Sequence, residues 1–507
     1  MQQGTDTLYC DSLIQNKTTN VLQAFSNVRI AQDGGTQGTC NYLRYTASTK
    51  VAFMQGDVTI TDGKNKLWCD ELTYNLGTKI GLYDNSGTLQ ADSTIVTSSW
   101  GAYNVKSKEA HFKGDAIIKD PKYHTLSQDM SYNTETKLTR FFAKSLVVSD
   151  SGRSILQTTS GYYDNQAGIA GFDKPSSVWY DGQYIESDTL YYNKKKGLSY
   201  AYGHVIAVDT GHHSTLFCGR VIYYTKKRVM WALDKPVLQT VNGADTLYLR
   251  ADTFYSAPVV NQLSKKAKSK DSTTITTTAL KAEMTPASVE EGKKNRKKKK
   301  EPEVATIAED TTVADSTAPL CFIGYHHVKI FSDSLQGVCD SISYTQSDST
   351  IRMIYNPVAW SRNSQVTGDT ILMRLDSNRI KYIYVPNNAL VISLAGPADA
   401  GMYDQVQGKT LKGIFKNNTI TDLNIYPNAE FIYYVKDDHG AYIGVSQSKS
   451  DKMRVFFENQ KIKKILQIKD VHQSLTPLQK ADIPNTKLSR FKWTPERRPQ
   501  SKEELFE

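Results

Sequence analysis

The sequence predicts an all-β protein built from ~30-residue repeats, solenoid-like and interrupted by a disordered insertion. Three observations carry this reading. The 507-residue chain is rich in tyrosine, with 30 copies, and in Thr, Val, Ile and Ser. Tyrosines recur in phase over its first half, and apolar and polar residues alternate between them. β-Branched and aromatic side chains suit a pleated, half-buried surface. A single core stops growing at about 250–300 residues, so a chain of this length holds several domains or a stack of repeats.

The repeat has two phrases. The first is small–polar–x–apolar–x–Tyr, as in Cys40-Asn41-Tyr42-Leu43-Arg44-Tyr45, Cys69-Asp70-Glu71-Leu72-Thr73-Tyr74 and Cys339-Asp340-Ser341-Ile342-Ser343-Tyr344. Its closing tyrosines fall at Tyr45, Tyr74, Tyr103, Tyr132, Tyr163, Tyr192 and Tyr223, in steps of 29 or 31. The second phrase lies 11 to 13 residues earlier: Gly56-Asp57-Val58-Thr59-Ile60, Gly203-His204-Val205 and His327-Val328-Lys329-Ile330 are copies. Asp-Gly pairs follow it, at Asp33-Gly34 and Asp62-Gly63, and supply the positive φ of a tight hairpin. Each unit reads as strand, turn, strand, with a further strand near a glycine. Stacked units bury one continuous apolar face. A propeller blade needs a longer period, of about 40–50 residues.

The pattern divides the chain. Residues 1–258 and 320–468 form the β-repeat array. Residues 259–319 form a low-complexity Lys-rich segment, too poor in apolar residues to offset its ordering entropy. Residues 469–507 read as an extended Pro/Arg-containing tail, either docking a partner or without order. The net charge of +10 is concentrated in two stretches, with +3 in residues 260–320 and +6 in 447–507. A nucleic-acid binder would show a basic face on its folded part, so no nucleic-acid partner is expected. No run of about 20 apolar residues marks a membrane helix, although barrel strands would leave only a weak signal. The start, Met1 to Asp6, lacks the features of a signal peptide, which leaves a cytoplasmic protein or a mature chain.

The search for chemistry returns no catalytic residue, metal site or cofactor. Cys10, Cys40, Cys69, Cys218 and Cys339 share one phase with Ser127, Ser187 and Ala251, which marks a small side chain in a tight interior. No CxxC or CxxH pair occurs. His212-His213 and His326-His327 read as turn or surface residues. Asp70, Asp188 and Asp340 are spread along the stack and read as strand-edge residues.

The units Gln55-Gly56-Asp57-Val58-Thr59-Ile60 and Leu67-Trp68-Cys69-Asp70-Glu71-Leu72-Thr73-Tyr74 resemble the repeat of the OstA-like family, over residues 5–257 and less regularly 320–465. That family includes the periplasmic lipopolysaccharide-transport bridge protein and the N-terminal domain of the outer-membrane lipopolysaccharide translocon. The resemblance implies an open, twisted antiparallel β-jellyroll that holds lipopolysaccharide, or a related glycolipid, by its acyl chains between two facing sheets. It implies a non-enzymatic periplasmic scaffold associated with the outer membrane. Its partners would be other OstA-like components stacked by edge strands, and further copies of itself. Val28, Ile30, Val58, Ile60, Leu72, Tyr74, Val205, Val328 and Ile330 are the groove candidates. The alternatives are a β-solenoid enzyme acting on polysaccharide, which needs clustered carboxylates, and an adhesin or structural repeat, which needs a sealed interior.

Overall fold

The computed structural model describes residues 2–259 and 317–507, apart from 4–5, 33–34, 243–244, 377–378, 417–418 and 459–460. The expected Asp33-Gly34 turn and residues 260–316 of the Lys-rich segment lie outside the described residues. Among the described residues, 43 strands form one continuous hydrogen-bonded system, and the pairings are antiparallel. The all-β class is the one expected, and the insertion expected to be disordered lies outside the described residues.

The unit is a hairpin of two bent strands. Val51–Thr61 pairs with Asn65–Asn75 on both sides of a bulge, as Gln55↔Glu71 and then Val58↔Cys69. The two unpaired residues, Gly56 and Asp57, have φ of +80° and +50°. Two left-handed residues in succession turn the strand, so its first half lies in one sheet and its second half in another. The same bend recurs at Gly114-Asp115, Gly203-His204 and His326-His327. The Gly–Asp phrase is thus the corner inside one strand, and not the approach to a separate strand as the sequence suggested. A turn at Asp62-Gly63-Lys64 closes the hairpin in the second sheet. Turns such as Leu76 to Lys79 close it in the first.

The inward face of the first sheet alternates large and small. Direct cross-strand neighbours run Tyr45, Ala52, Tyr74, Gly81, Tyr103, Ala110, Tyr132, Thr139, Tyr163, Ala170, Tyr192, Ser199, Tyr223. The 29-residue tyrosine spacing is the spacing of every second strand. Each ring lies over a small neighbour, which lets rings of adjacent units fit side by side.

The array does not stop at the Lys-rich segment. Thr253–Pro258 pairs with the first half of Leu320–Phe331, and Asp245–Arg250 pairs with its second half.

The C-terminal segment differs from expectation. His472–Pro477 is a strand paired to Tyr442–Ser450. The chain then leaves the sheet edge and folds back across the outer face of the second sheet in single 3-10 turns. Leu478, Ala481, Ile483 and Leu488 cover an apolar cluster of Met402, Ile432, Tyr434 and Val445. The partner that the prolines and arginines suggested is the chain itself. The outward apolar residues of these strands need cover, and a proline-rich segment follows a sheet face without demanding ladder partners.

Candidate functional site

The inward face of the second sheet carries a continuous row that is apolar or glycine at every position but Thr125. Starting at Ile30, the direct neighbours are Gly38, Ile60, Leu67, Leu89, Val96, Ile118 and Thr125. They continue as Val147, Leu156, Val178, Ile185, Ala207, Leu216, Leu238 and Leu249. From Leu249 the row passes directly to Ile330, Gly337 and Ala359, then Val366, Val391, Val406 and Phe431. Facing the tyrosine row of the first sheet, it forms one wall of a trough.

The nine candidates fall in two places. Val28, Val58, Val205 and Val328 sit just after the bends, at the floor where the sheets meet, and each is 1% exposed. Their partners across the ladder are Cys40, Cys69, Cys218 and Cys339. The cysteine phase is therefore the narrow corner, where only a small side chain fits. Burial pushes the Cys40 thiol up to about 11 and those of Cys69, Cys218 and Cys339 to about 12, so they are neutral packing groups. Ile30, Ile60, Leu72, Tyr74 and Ile330 lie higher on the walls.

The opening of the trough is bridged over its first units. Lys108 in a first-sheet turn reaches Asp62 in a second-sheet turn, Nζ to Oδ2 2.6 Å. Tyr103 and Asn65 complete the cluster: the Tyr103 hydroxyl donates to Asp62 Oδ2 at 2.9 Å, and Asn65 Nδ2 donates to the Tyr103 hydroxyl at 3.0 Å. Burial pushes the Asp62 carboxyl up, but the hydrogen bonds from Lys108, Asn65 and Tyr103 outweigh it and hold its pKa at about 2. One unit on, Lys137 reaches Asp92 at 2.8 Å. One unit back, Lys79 donates to Gln32 Oε1 at 3.3 Å. These lysines occupy a left-handed turn position that recurs at Gly168, Gly197 and Arg228. Glycine brings no side chain to cross the opening.

Three regimes follow along the trough. At its N-terminal end is a cavity of about 480 Å³, lined by Leu8, Leu22, Leu43, Met54, Ile60 and Tyr74 among others. Under the clasps the interior is filled: Leu89, Val96, Ile118 and Met130 are at most 1% exposed. Tyr83 lies across the space there, its ring over Gly87 and Gly101 and its hydroxyl 2.8 Å from Ser98 Oγ. From Val147 to Leu238 the trough opens. Val147, Leu156, Val178, Ile185, Ala207 and Leu238 are only half-buried, and Tyr192 is 39% exposed. The sequence reading named none of Val147, Leu156, Val178, Ile185 and Leu238, because their strands lack the Gly–Asp–Val phrase. The loss of lysine at Gly168 and Gly197 was the available signal.

The acidic residues Asp188 and Asp340 lie on the outside of the corners. They pair with His204 and His326 at 2.7 and 3.1 Å, and Asp252 pairs with His327 at 2.7 Å. These pairs brace the bends. Asp70 sits at the same corner of its unit, opposite the Gly56-Asp57 bulge.

Residues 1–129 match the family model described as OstA-like protein. That stretch is similar to the OstA-like family. It holds the cavity, the filled interior and the Lys108–Asp62 clasp, and the same bent-hairpin unit runs on beyond it. Among solved structures the chain is similar to LptH, described as the LptA-homologous periplasmic component of the lipopolysaccharide transport device from Pseudomonas aeruginosa. The identity is 12%, the match covers 28% of this chain and 82% of that one, and the TM-score is 0.14. No curated protein matches the chain.

Proposed function

We propose that this protein is a non-enzymatic periplasmic scaffold for lipopolysaccharide or a related glycolipid, holding the acyl chains in its trough on the way to the outer membrane. The observation that carries the reading is the row from Ile30 to Phe431, apolar but for Thr125 and glycines across some two dozen strands and half-open between Val147 and Leu238. Acyl chains need a long apolar surface shielded from water on one side, with a free side where a polar headgroup can stay hydrated. The open stretch offers both. The OstA-like character of residues 1–129 supports the same cargo class. Ile30, Ile60, Leu72, Tyr74 and Ile330 of the expected groove lie on the trough walls, and Val28, Val58, Val205 and Val328 form its packed floor. A structural repeat protein would be filled throughout, as the clasped stretch is; the half-buried wall from Val147 onward favours a carrier.

The test is lipid content. The protein is isolated from its native envelope and its bound lipid measured by mass spectrometry. Leu156→Asp and Ile185→Asp place a charge in the open wall and should strip the lipid while the β circular dichroism is kept. Outward Gln157→Asp should not. Equal lipid in all three variants contradicts the proposal.

A further inference from the structure

The C-terminal segment is bound to the second sheet as a peptide ligand is bound. Two buried glutamines on the sheet's outer face each grip a three-residue step of extended main chain. Gln405 donates from Nε2 to the Thr486 carbonyl at 3.0 Å and accepts from the Leu488 N–H at Oε1 at 2.8 Å. Gln365 does the same six residues on, donating to the Lys492 carbonyl at 2.6 Å and accepting from the Thr494 N–H at 2.9 Å. Both glutamines are 1% exposed. A primary amide carries one acceptor and a donor in the geometry of a peptide group, so it pairs with a strand as a neighbouring strand would.

Side chains fix the register. Phe491 and Trp493 flank Tyr403 with ring centroids 5.2 and 5.6 Å away. Arg498 donates to Gln336 Oε1 and to the Arg362 carbonyl. Leu505 is fully buried, and Phe506 packs edge-on against Phe217 and Tyr248. Between these anchors most of the segment is exposed. The segment joins the array through one corner, where Lys469 and Asp470 both have positive φ, and through the exposed edge strand His472–Pro477.

We propose that this outer face is a docking track for one extended peptide, and that its occupant is exchanged between copies, the C-terminal segment of one chain lying on the track of a second. Three features point to a second copy. The track's contacts are to main chain and to anchor side chains such as Phe491, Trp493, Arg498 and Leu505, all of which a second copy supplies identically. The segment is tethered at one corner, so rotation there releases it whole. It begins at an edge strand whose free side can pair with the same strand of another copy about a two-fold axis, which brings the second track within reach. Exchange then fastens two arrays tail to tail, with the edge-strand pairing as the new contact. The proposal does not depend on what the trough carries.

Two full-length versions with different tags are co-expressed, one with a photoreactive residue in place of Trp493. Irradiation should yield adducts carrying both tags, mapped to Tyr403–Gly408 of the other copy, and more of them after joint refolding at higher concentration. Deleting Val471 tightens the corner and should raise the inter-copy share; inserting three glycines after Asp470 should lower it. If position 493 perturbs folding, Lys487, whose neighbours Gln405 grips, serves as the second site. Adducts confined to single chains at every concentration, with both sites, overturn the proposal.

Discussion

Lys108 and Asp62 meet across the opening of the trough, 2.6 Å apart, although they lie in turns at the far ends of the two sheets. The pair ties one unit's second sheet to the next unit's first. It seals a stretch whose interior is filled, and it has neighbours of the same kind at Lys79 and Lys137. Where glycine replaces the lysine, the wall is half-open.

The clasp makes local stability pH-dependent. The Asp62 pKa of about 2 lies below the ordinary carboxylate value, so its contribution is complete above about pH 4 and is lost as pH falls toward 2. Lys108→Met should weaken the clasped units by about 1–3 kcal/mol at pH 7, with the difference shrinking toward pH 2. Hydrogen exchange of Val96 and Ile118 reads this locally. An unchanged exchange pattern at pH 7 contradicts the role given to the pair.

Tyr83 fills the clasped interior only because Gly101 lacks a side chain. A Cβ there would lie 2.3 Å from the Tyr83 hydroxyl oxygen. Gly101→Ala should destabilise by about 1–3 kcal/mol, and adding Tyr83→Leu should recover part of the loss. Urea titration of the single and double variants shows whether the two effects couple, and strict additivity would sink the explanation.

At the corners the backbone sets the requirement. Gly203 has φ +78°, and a Cβ on it would sit 2.2 Å from Asp188 Oδ2. Gly203→Ala therefore costs about 1–3 kcal/mol through strain and the displaced Asp188–His204 pair. Ser199→Ala, on the same strand away from the bend, should cost less than 1 kcal/mol. Thermal melts that rank the two the other way contradict the corner assignment.

Asp404 works against the fold at neutral pH. Burial raises its pKa to about 6, with the Tyr434 N–H and Lys436 pulling the other way. A folded-state pKa above the unfolded value means stability present below about pH 4 and lost as pH rises through 6. Asp404→Asn should stabilise by about 1–3 kcal/mol at pH 8 and by nothing measurable at pH 3.5. A gain independent of pH would contradict the burial argument.

Much of the fold is readable in the tyrosines. Tyr45 to Tyr223 mark every second strand because ring and small neighbour must alternate on one inward face. The cysteine phase was readable as a small side chain in a tight interior for the same reason of space. The Gly56-Asp57 bend was not readable as a bend: a glycine before an alternating run looks like a strand start, and only the pairing of Gln55 and Val58 on either side reveals one strand. The open wall was missed because Val147, Leu156 and Val178 sit in short strands without the phrase. The docked tail was missed because its anchors, Thr486, Thr494 and Leu505, have no period of their own; their spacing comes from the sheet beneath them.

The carrier reading is tested most directly by a crosslinking scan of the trough in cells. Photoreactive residues are placed one at a time at Val96, Ile118, Val147, Leu156, Val178, Ile185 and Leu238, with outward Gln157 as the control. Adducts to lipopolysaccharide or a related glycolipid should appear from Val147 to Leu238, with little at Val96 and Ile118 beneath the clasps and none at Gln157. Equal labelling of Gln157 and the open wall, or no glycolipid adduct at any inward position, would contradict a trough that carries acyl chains.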